Sequence, residues 1–153
     1  MDKITFKIEG MDDFLKKVGQ LPDTAQKKVS DLVKECGLNM QSEAVKNLSD
    51  NHSVITKMLL DSLLTGLRYD YLSTTLETAV EYAPYVEYGT APHSIDVKNA
   101  SVLATKSGVN GGGQWIYFGK HVDHPGSHAK PFFNPAFETA RNRFLQGLKQ
   151  MFP

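Results

Sequence analysis

A chain of 153 residues with 41% hydrophobic and 22% charged side chains can bury its own core, and its composition excludes wholesale disorder and a membrane-embedded chain. Lysine plus arginine equals aspartate plus glutamate at 17 each, so no net positive field exists to hold a polyanion as the primary partner. Cys36 is the only cysteine, which excludes an intramolecular disulfide and a multi-cysteine zinc site. The opening Met1-Asp2-Lys3-Ile4-Thr5-Phe6 lacks the basic region and apolar run of a secretory signal, so a soluble protein is expected.

Residues Lys3 to Glu9 alternate through Ile4, Phe6 and Ile8, which predicts a strand ended by Gly10. From Met11 the period changes: Met11, Phe14, Leu15 and Val18 share one stripe of a short helix that Gly19 and Pro22 close. Asp23 is the candidate N-cap of the longest element, whose stripe runs through Val29, Leu32, Val33, Cys36, Met40, Ala44 and Leu48. On that stripe Cys36 reads as a small buried hydrophobe, while Lys27, Lys28, Lys34, Glu35, Glu43 and Lys46 face water. Asn51 and Ser53 mark a turn, and Thr56 caps a short helix to about Leu63.

Gly66 to Tyr71 and Leu72 to Tyr82 read as two strands joined around Tyr69-Asp70-Tyr71, the second with Leu76, Thr78, Val80 and Tyr82 on one face. Ala83 to Gly89 is a short helix with Pro84 in its first turn and Gly89 as its stop. His93 to Lys98 and Val102 to Thr105 are extended. Lys106 to Gly113, with Gly108, Gly111, Gly112 and Gly113, is expected to be a flexible hairpin tip or lid. Trp115 to Phe118 is an aromatic strand, Gly119 a break before Val122, and His124-Pro125-Gly126 a turn. A last helix begins after Pro131 or Pro135 and carries Phe133, Ala136, Phe137, Ala140, Phe144, Leu145 and Leu148 at helical spacing.

No repeat or linker divides the chain, so a single domain over 1–153 is expected. The order predicts an α+β fold: a short antiparallel sheet packed against a long N-terminal helix and a C-terminal helix, with a flexible hairpin loop. Strands that cluster in sequence disfavour parallel βαβ topology.

Few residues offer chemistry. His121, His124 and His128 form His-x-x-His-x-x-x-His, to which the fold could bring His93 near, and imidazoles are good metal ligands. Pro125-Gly126 breaks any helix that would put the three on one face, and no Glu stands where His-Glu-x-x-His would supply a base. There is no Gly-x-Ser-x-Gly, and the glycines at 111 to 113 lack the strand-to-helix setting of a phosphate loop. Asp12-Asp13 sit at a helix start, where they favour the dipole. The expectation is no enzyme and no cofactor; the rival is a metal-dependent, nuclease-like enzyme using the histidines.

Two blocks stand apart: Tyr82-Ala83-Pro84-Tyr85-Val86-Glu87-Tyr88-Gly89-Thr90-Ala91-Pro92-His93, and His124-Pro125-Gly126-Ser127-His128-Ala129-Lys130-Pro131-Phe132-Phe133-Asn134-Pro135-Ala136. Together, and in this order, they resemble the tail-completion (head-tail joining, neck) family of long-tailed bacteriophages. The long helix, the Thr-x-x-Leu-x-x-Ser-Leu stretch from Thr56 to Leu63 and the closing helix extend the resemblance over nearly the whole chain. Lys57 stands where the family often has glycine.

The resemblance implies a virion structural protein, assembled in the host cytoplasm, that forms a homo-oligomeric ring of six copies at the top of the tail. Its partners would be the tail-tube protein below and a stopper or head-completion protein above. DNA would pass through the centre without sequence-specific binding, and no membrane is involved. A net charge of zero suits a channel through which a polyanion slides.

The candidate interface comprises Tyr82, Tyr85, Tyr88, Gly89 and His93, then Trp115 and Phe118, then His124, Pro125, Gly126, Lys130, Pro131 and Phe132. Tyrosines supply contact area with a hydroxyl that tolerates a wet rim, though here they equally fit a sheet-covering core. The prolines and glycines either fix loop shapes for docking or serve as ordinary turns.

Overall fold

The computed structural model describes residues 11–51, 57–98, 100–106 and 114–152. The strand expected at Lys3 to Glu9, the turn at Ser53, the cap at Thr56 and most of the glycine-rich tip, residues 107–113, lie outside these.

The apolar stripe from Val29 to Leu48 becomes the spine of the molecule, α2 (Asp23–Asp50), preceded by α1 (Met11–Val18). Val29, Val33, Met40, Ala44 and Leu48 are buried along it, and Cys36 packs against the same core. Burial, with the Glu35 carboxylate alongside, pushes the Cys36 thiol above its ordinary pKa. Asp23 is not the N-cap. Pro22 holds that position without a side-chain bond, and Asp23 lies in the first turn, where its charge meets the positive end of the dipole.

A second helix, α3 (Lys57–Thr65), leads into a hairpin of β1 (Leu67–Asp70) and β2 (Ser73–Leu76), paired from Leu67↔Leu76 to Asp70↔Ser73. The reversal falls at Tyr71 and Leu72, later than expected, because Tyr69 is still in the ladder opposite Thr74. Its hydroxyl pairs with Ser30 on α2. The second strand also ends at Leu76 and does not reach Tyr82. Thr78 Oγ1 is engaged by Ser62 Oγ at 2.7 Å and by the Val80 N–H at 3.2 Å, side-chain bonds that divert the backbone from the ladder. Leu76 and Val80 are nevertheless both buried, as their alternation implied.

Close approach of α2 to this hairpin depends on Gly37, where a Cβ would lie 2.0 Å from Thr74 Oγ1. Gln41 ties α2 to the end of α3, its Nε2 donating to the Leu63 carbonyl at 2.8 Å and the Leu64 carbonyl at 3.0 Å. These carbonyls are among those a helix end leaves without partners.

The closing helix α5 (Phe133–Met151) lies along α2 and completes two apolar clusters. One joins Met40, Ala44, Leu48, Leu59, Leu63, Leu76, Ala136 and Ala140; the other joins Val18, Val29, Val33 and Phe144, with Phe14 of α1 edge-on to Phe144 at 6.5 Å.

Between hairpin and closing helix come α4 (Ala83–Tyr88), β3 (His93–Asp96), β4 (Leu103–Lys106), β5 (Trp115–Gly119) and β6 (His121–His124). The fold is α+β, as the element order implied. Among the described residues the strands form three two-stranded antiparallel ladders, β1–β2, β3–β6 and β4–β5, rather than one sheet. Only the first packs extensively on the helices. Among the described residues no helix is long and apolar enough to cross a membrane.

The core assignment is testable by urea denaturation. Leu63→Ala, which empties a fully buried site, is expected to cost about 2–5 kcal/mol, whereas Leu38→Ala on the exposed side of α2 should stay within about 0.5 kcal/mol of the parent.

Candidate functional site

The two proline- and glycine-rich blocks, whose paired residues Thr90 and Ser127 are 37 positions apart, fold against each other into one joint. Pro84 starts α4 at a position that needs no N–H, and Gly89 ends it at φ +73°. A Cβ at Gly89 would lie 2.4 Å from the Ser127 carbonyl oxygen and 2.7 Å from the Ala129 nitrogen, so only glycine lets the strands meet. Thr90 and Ser127 exchange backbone bonds of 3.0 and 3.1 Å, and the Lys130 N–H donates to the Val86 carbonyl at 2.9 Å.

Glu87 locks this joint. Its side chain is 2% exposed, and its carboxylate accepts the N–H groups of Phe132, Phe133 and Asn134, each at 2.8 Å. Those are the unpaired amides at the start of α5, where the helix dipole also favours negative charge. The N-cap residue of α5, Phe132, offers no side-chain acceptor of its own. Asn47 and Asn51, at the end of α2, donate to the carbonyls of Phe132 at 3.2 Å and Pro131 at 2.9 Å. Backbone groups on both sides of the joint thus find partners.

The His124-Pro125-Gly126 segment is locally kinked without reversing the chain: β6 ends at His124, Gly126 takes φ +84° and its N–H donates to His124 Nδ1 at 3.0 Å. His93↔His124 and Thr90↔Ser127 share one register, so pairing resumes beyond the kink at the joint. A Cβ at Gly126 would stand 2.2 Å from the Thr90 carbonyl oxygen, so only glycine fits there.

The candidate contact residues separate into three groups. Phe132 is fully buried and belongs to the core, a correction to its reading as a contact residue; a proline-flanked aromatic looked like loop but fills the space between α2 and α5. Tyr82 packs partly against that core, while Gly89 and Gly126 act through the backbone. Tyr85 and Tyr88 are 60% and 61% exposed and do not cover the sheet. His93, Pro125, Lys130 and Pro131 are exposed, His124 half-buried, and Trp115 and Phe118 lie exposed on β5. Of the tip, only the backbone of Lys106, in β4, is described. Gly108, Gly111, Gly112 and Gly113 lie outside the described residues.

The histidines do not converge. His93 and His124 stack across the ladder with centroids 5.0 Å apart, and His128 is exposed beyond the joint. His121 sits between two carboxylates, Nδ1 2.7 Å from Asp96 and Nε2 3.1 Å from Asp123, while Ser94 Oγ donates to Asp123 at 2.8 Å. With both ring nitrogens on carboxylates and Ser94 bonded to an acid, the set lacks the serine-to-imidazole contact of a nucleophile relay. Among the described residues no group of three or more His, Cys, Asp or Glu is placed to hold a metal ion.

Hydrogen bonds donated by its ring to the carboxylates of Asp96 and Asp123 raise the His121 pKa, and bonds accepted from Ser94 and His121 lower that of Asp123. What the bracket adds is an electrostatic brace across β3 and β6. Sequence reasoning missed Glu87. The available signal was a lone acid in an apolar, aromatic six-residue helix, set against a later helix whose start lacks Ser, Thr, Asp or Asn at the cap. It also passed over Ile116 and Tyr117, which are exposed on β5.

Glu87→Gln turns one acceptor oxygen into a donor facing an amide, and should cost about 2–3 kcal/mol in urea denaturation. His121, whose folded pKa is raised, contributes fully below the ordinary imidazole value and loses its contribution as pH rises through the raised one. Asp123, whose pKa is lowered, contributes above the ordinary carboxylate value and loses it as pH falls through the lowered one. The β3–β6 ladder is therefore best braced in mildly acid solution. An NMR titration should place the His121 midpoint above that of a free imidazole, and Asp96→Asn with Asp123→Asn should bring it back.

No protein-family model, curated protein or solved structure matches this chain, and its function is argued from its own residues.

Proposed function

We propose that the protein is a neck subunit of a long-tailed bacteriophage, a tail-completion protein that forms a ring at the top of the tail by binding copies of itself. In this reading the ring of six joins the tail-tube protein to the stopper or head-completion protein, and DNA passes through without sequence-specific contacts.

One observation carries the reading. The two blocks on which the resemblance rests are the two halves of one joint, tied by Glu87, by the Thr90–Ser127 bridge and by glycines that admit no side chain. The buried carboxylate of the blocks, Glu87, is taken up by amides. What the blocks leave to solvent is Tyr85, Tyr88, Lys130 and the prolines Pro92, Pro125 and Pro131, with His93 and His128 beside them, on a base held by backbone bonds, the material of a contact surface with little ordering entropy left to lose. The equal numbers of acids and bases, 17 each, suit a channel wall that must not retain DNA.

Mass spectrometry of purified phage particles tests the class directly. A few copies of this chain per particle, near the neck, are expected. Its absence from particles whose other tail proteins are all detected would overturn the proposal. Purified protein should also co-migrate with its tail-tube or stopper partner in native gels.

A further inference from the structure

Between the joint and the β3–β6 ladder the two strands cross a position where neither can donate a backbone hydrogen bond to the other. In the register that runs from Thr90↔Ser127 to His93↔His124, Pro92 stands opposite Pro125, and a proline has no N–H. Two histidines bridge this weak point. Their rings stack with centroids 5.0 Å apart and planes 30° from parallel, and each reaches two residues along its own strand toward the joint. His93 Nδ1 lies 2.9 Å from the Ala91 carbonyl oxygen, and the Gly126 N–H donates to His124 Nδ1 at 3.0 Å.

These partners decide which nitrogen carries hydrogen. A carbonyl oxygen only accepts, so His93 Nδ1 is the donor, and that bond persists whether the ring is neutral or charged. A backbone amide only donates, so His124 Nδ1 presents its lone pair, and the ring is neutral with its hydrogen on Nε2. Protonation of His124 therefore fills the lone pair that Gly126 uses. An imidazolium donates at both nitrogens and turns an N–H against the amide. A proton on His93 as well sets two like charges face to face.

Nothing on this side of the ladder offsets such a charge. Alternation places Ile95 and Val122 beside the two histidines, and Ser94, Asp96, His121 and Asp123 on the opposite face. Among the described residues no carboxylate forms an ion pair with His93 or His124. No helix packs extensively on either strand, and β5, which touches β6, carries Tyr117 as its one titratable group. Lys120 before β6 and His128 beyond the joint bring positive charge alone. On the opposite face acid has the reverse effect, because His121 between Asp96 and Asp123 binds the strands best when protonated.

We propose that His124 is a proton-operated clasp: neutral, it holds the Gly126 kink and fastens the β3–β6 ladder to the joint; protonated, it lets go, and the ladder swings about Pro92 and Pro125 as a still-paired unit. The Thr90–Ser127 bridge and the amides on Glu87 involve no imidazole, so the joint itself stays closed. The device belongs to the chain whatever it assembles with.

NMR of the ¹⁵N-labelled full chain across the imidazole range, from about pH 8 to about pH 5, tests it. Taken relative to the rate of an unstructured amide at each pH, the exchange protection of Gly126 should fall about fivefold to tenfold, while that of Thr90 and Ser127 holds. The Gly126 shift should follow the ring signals of His124 and not those of His121. Residual dipolar couplings of β3 and β6 should fit the alignment of the helical body at the neutral end and require their own at the acid end. His124→Asn puts an oxygen near the place of Nδ1 that accepts from the N–H two residues on and takes no proton, so Gly126 should stay protected throughout. His124→Leu should leave Gly126 unprotected at both ends, with matching circular dichroism melts at neutral pH establishing that both variants fold. A parent whose Gly126 ignores acid, a response that survives in His124→Asn or follows His121, joint loss of protection at Thr90 and Ser127, or couplings that fit one alignment throughout would each overturn the proposal.

Discussion

The carboxylate of Glu87 at the first three amides of α5 is the contact on which the rest of the molecule depends. Burying a charge costs several kcal/mol unless hydrogen bonds replace its water. Here three N–H donors at 2.8 Å and the positive end of a 19-residue helix replace it, each charge-assisted bond contributing about 1.5–3 kcal/mol. The same bonds fix where α5 begins, and hence how Ala136, Ala140 and Phe144 meet α2. They also hold α4 against the start of that helix, which roots the strands that follow.

Two kinds of stability divide the chain around this contact. The body of α1, α2, α3, β1–β2 and α5 is held by side-chain burial, with Gly37 permitting the close approach of helix to hairpin. The β3–β6 and β4–β5 ladders have backbone pairing and surface polar contacts but little covered apolar area of their own. Their brace is electrostatic, His121 between Asp96 and Asp123, and such exposed pairs add only modestly. A region so built opens more readily than the body, since little buried apolar area opposes the separation of its strands.

How much was legible in the sequence follows from the range of the forces. The stripes that became α1, α2 and α5 were readable because a helix writes its buried face into residues three and four apart, and α4 was readable from Pro84 in its first turn and Gly89 at its end. The end of β2 was not, since Thr78 leaves the ladder for Ser62, sixteen residues earlier. Neither was the joint. Glu87 and Phe132 are 45 residues apart, and each alone looks like an ordinary feature of a loop-rich block. Phe132 looks like surface for that reason, and the turn at His124-Pro125-Gly126 gives no sign of the pairing that resumes beyond it. Likewise, aromatic and β-branched composition marked Trp115 to Phe118 as strand, but whether a strand gains a third neighbour depends on topology; among the described residues it pairs with β4 alone.

In the register shared by His93↔His124 and Thr90↔Ser127, Pro92 falls opposite Pro125. Neither residue has an N–H to give, so the ladder carries a rung with no donors, immediately beyond the glycine-tightened joint. Unzipping that starts at the far tip meets this gap before it reaches Thr90 and Ser127. The gap works as a firebreak: the outer strands can separate and re-form while α5 stays anchored, so local melting outside need not become unfolding within.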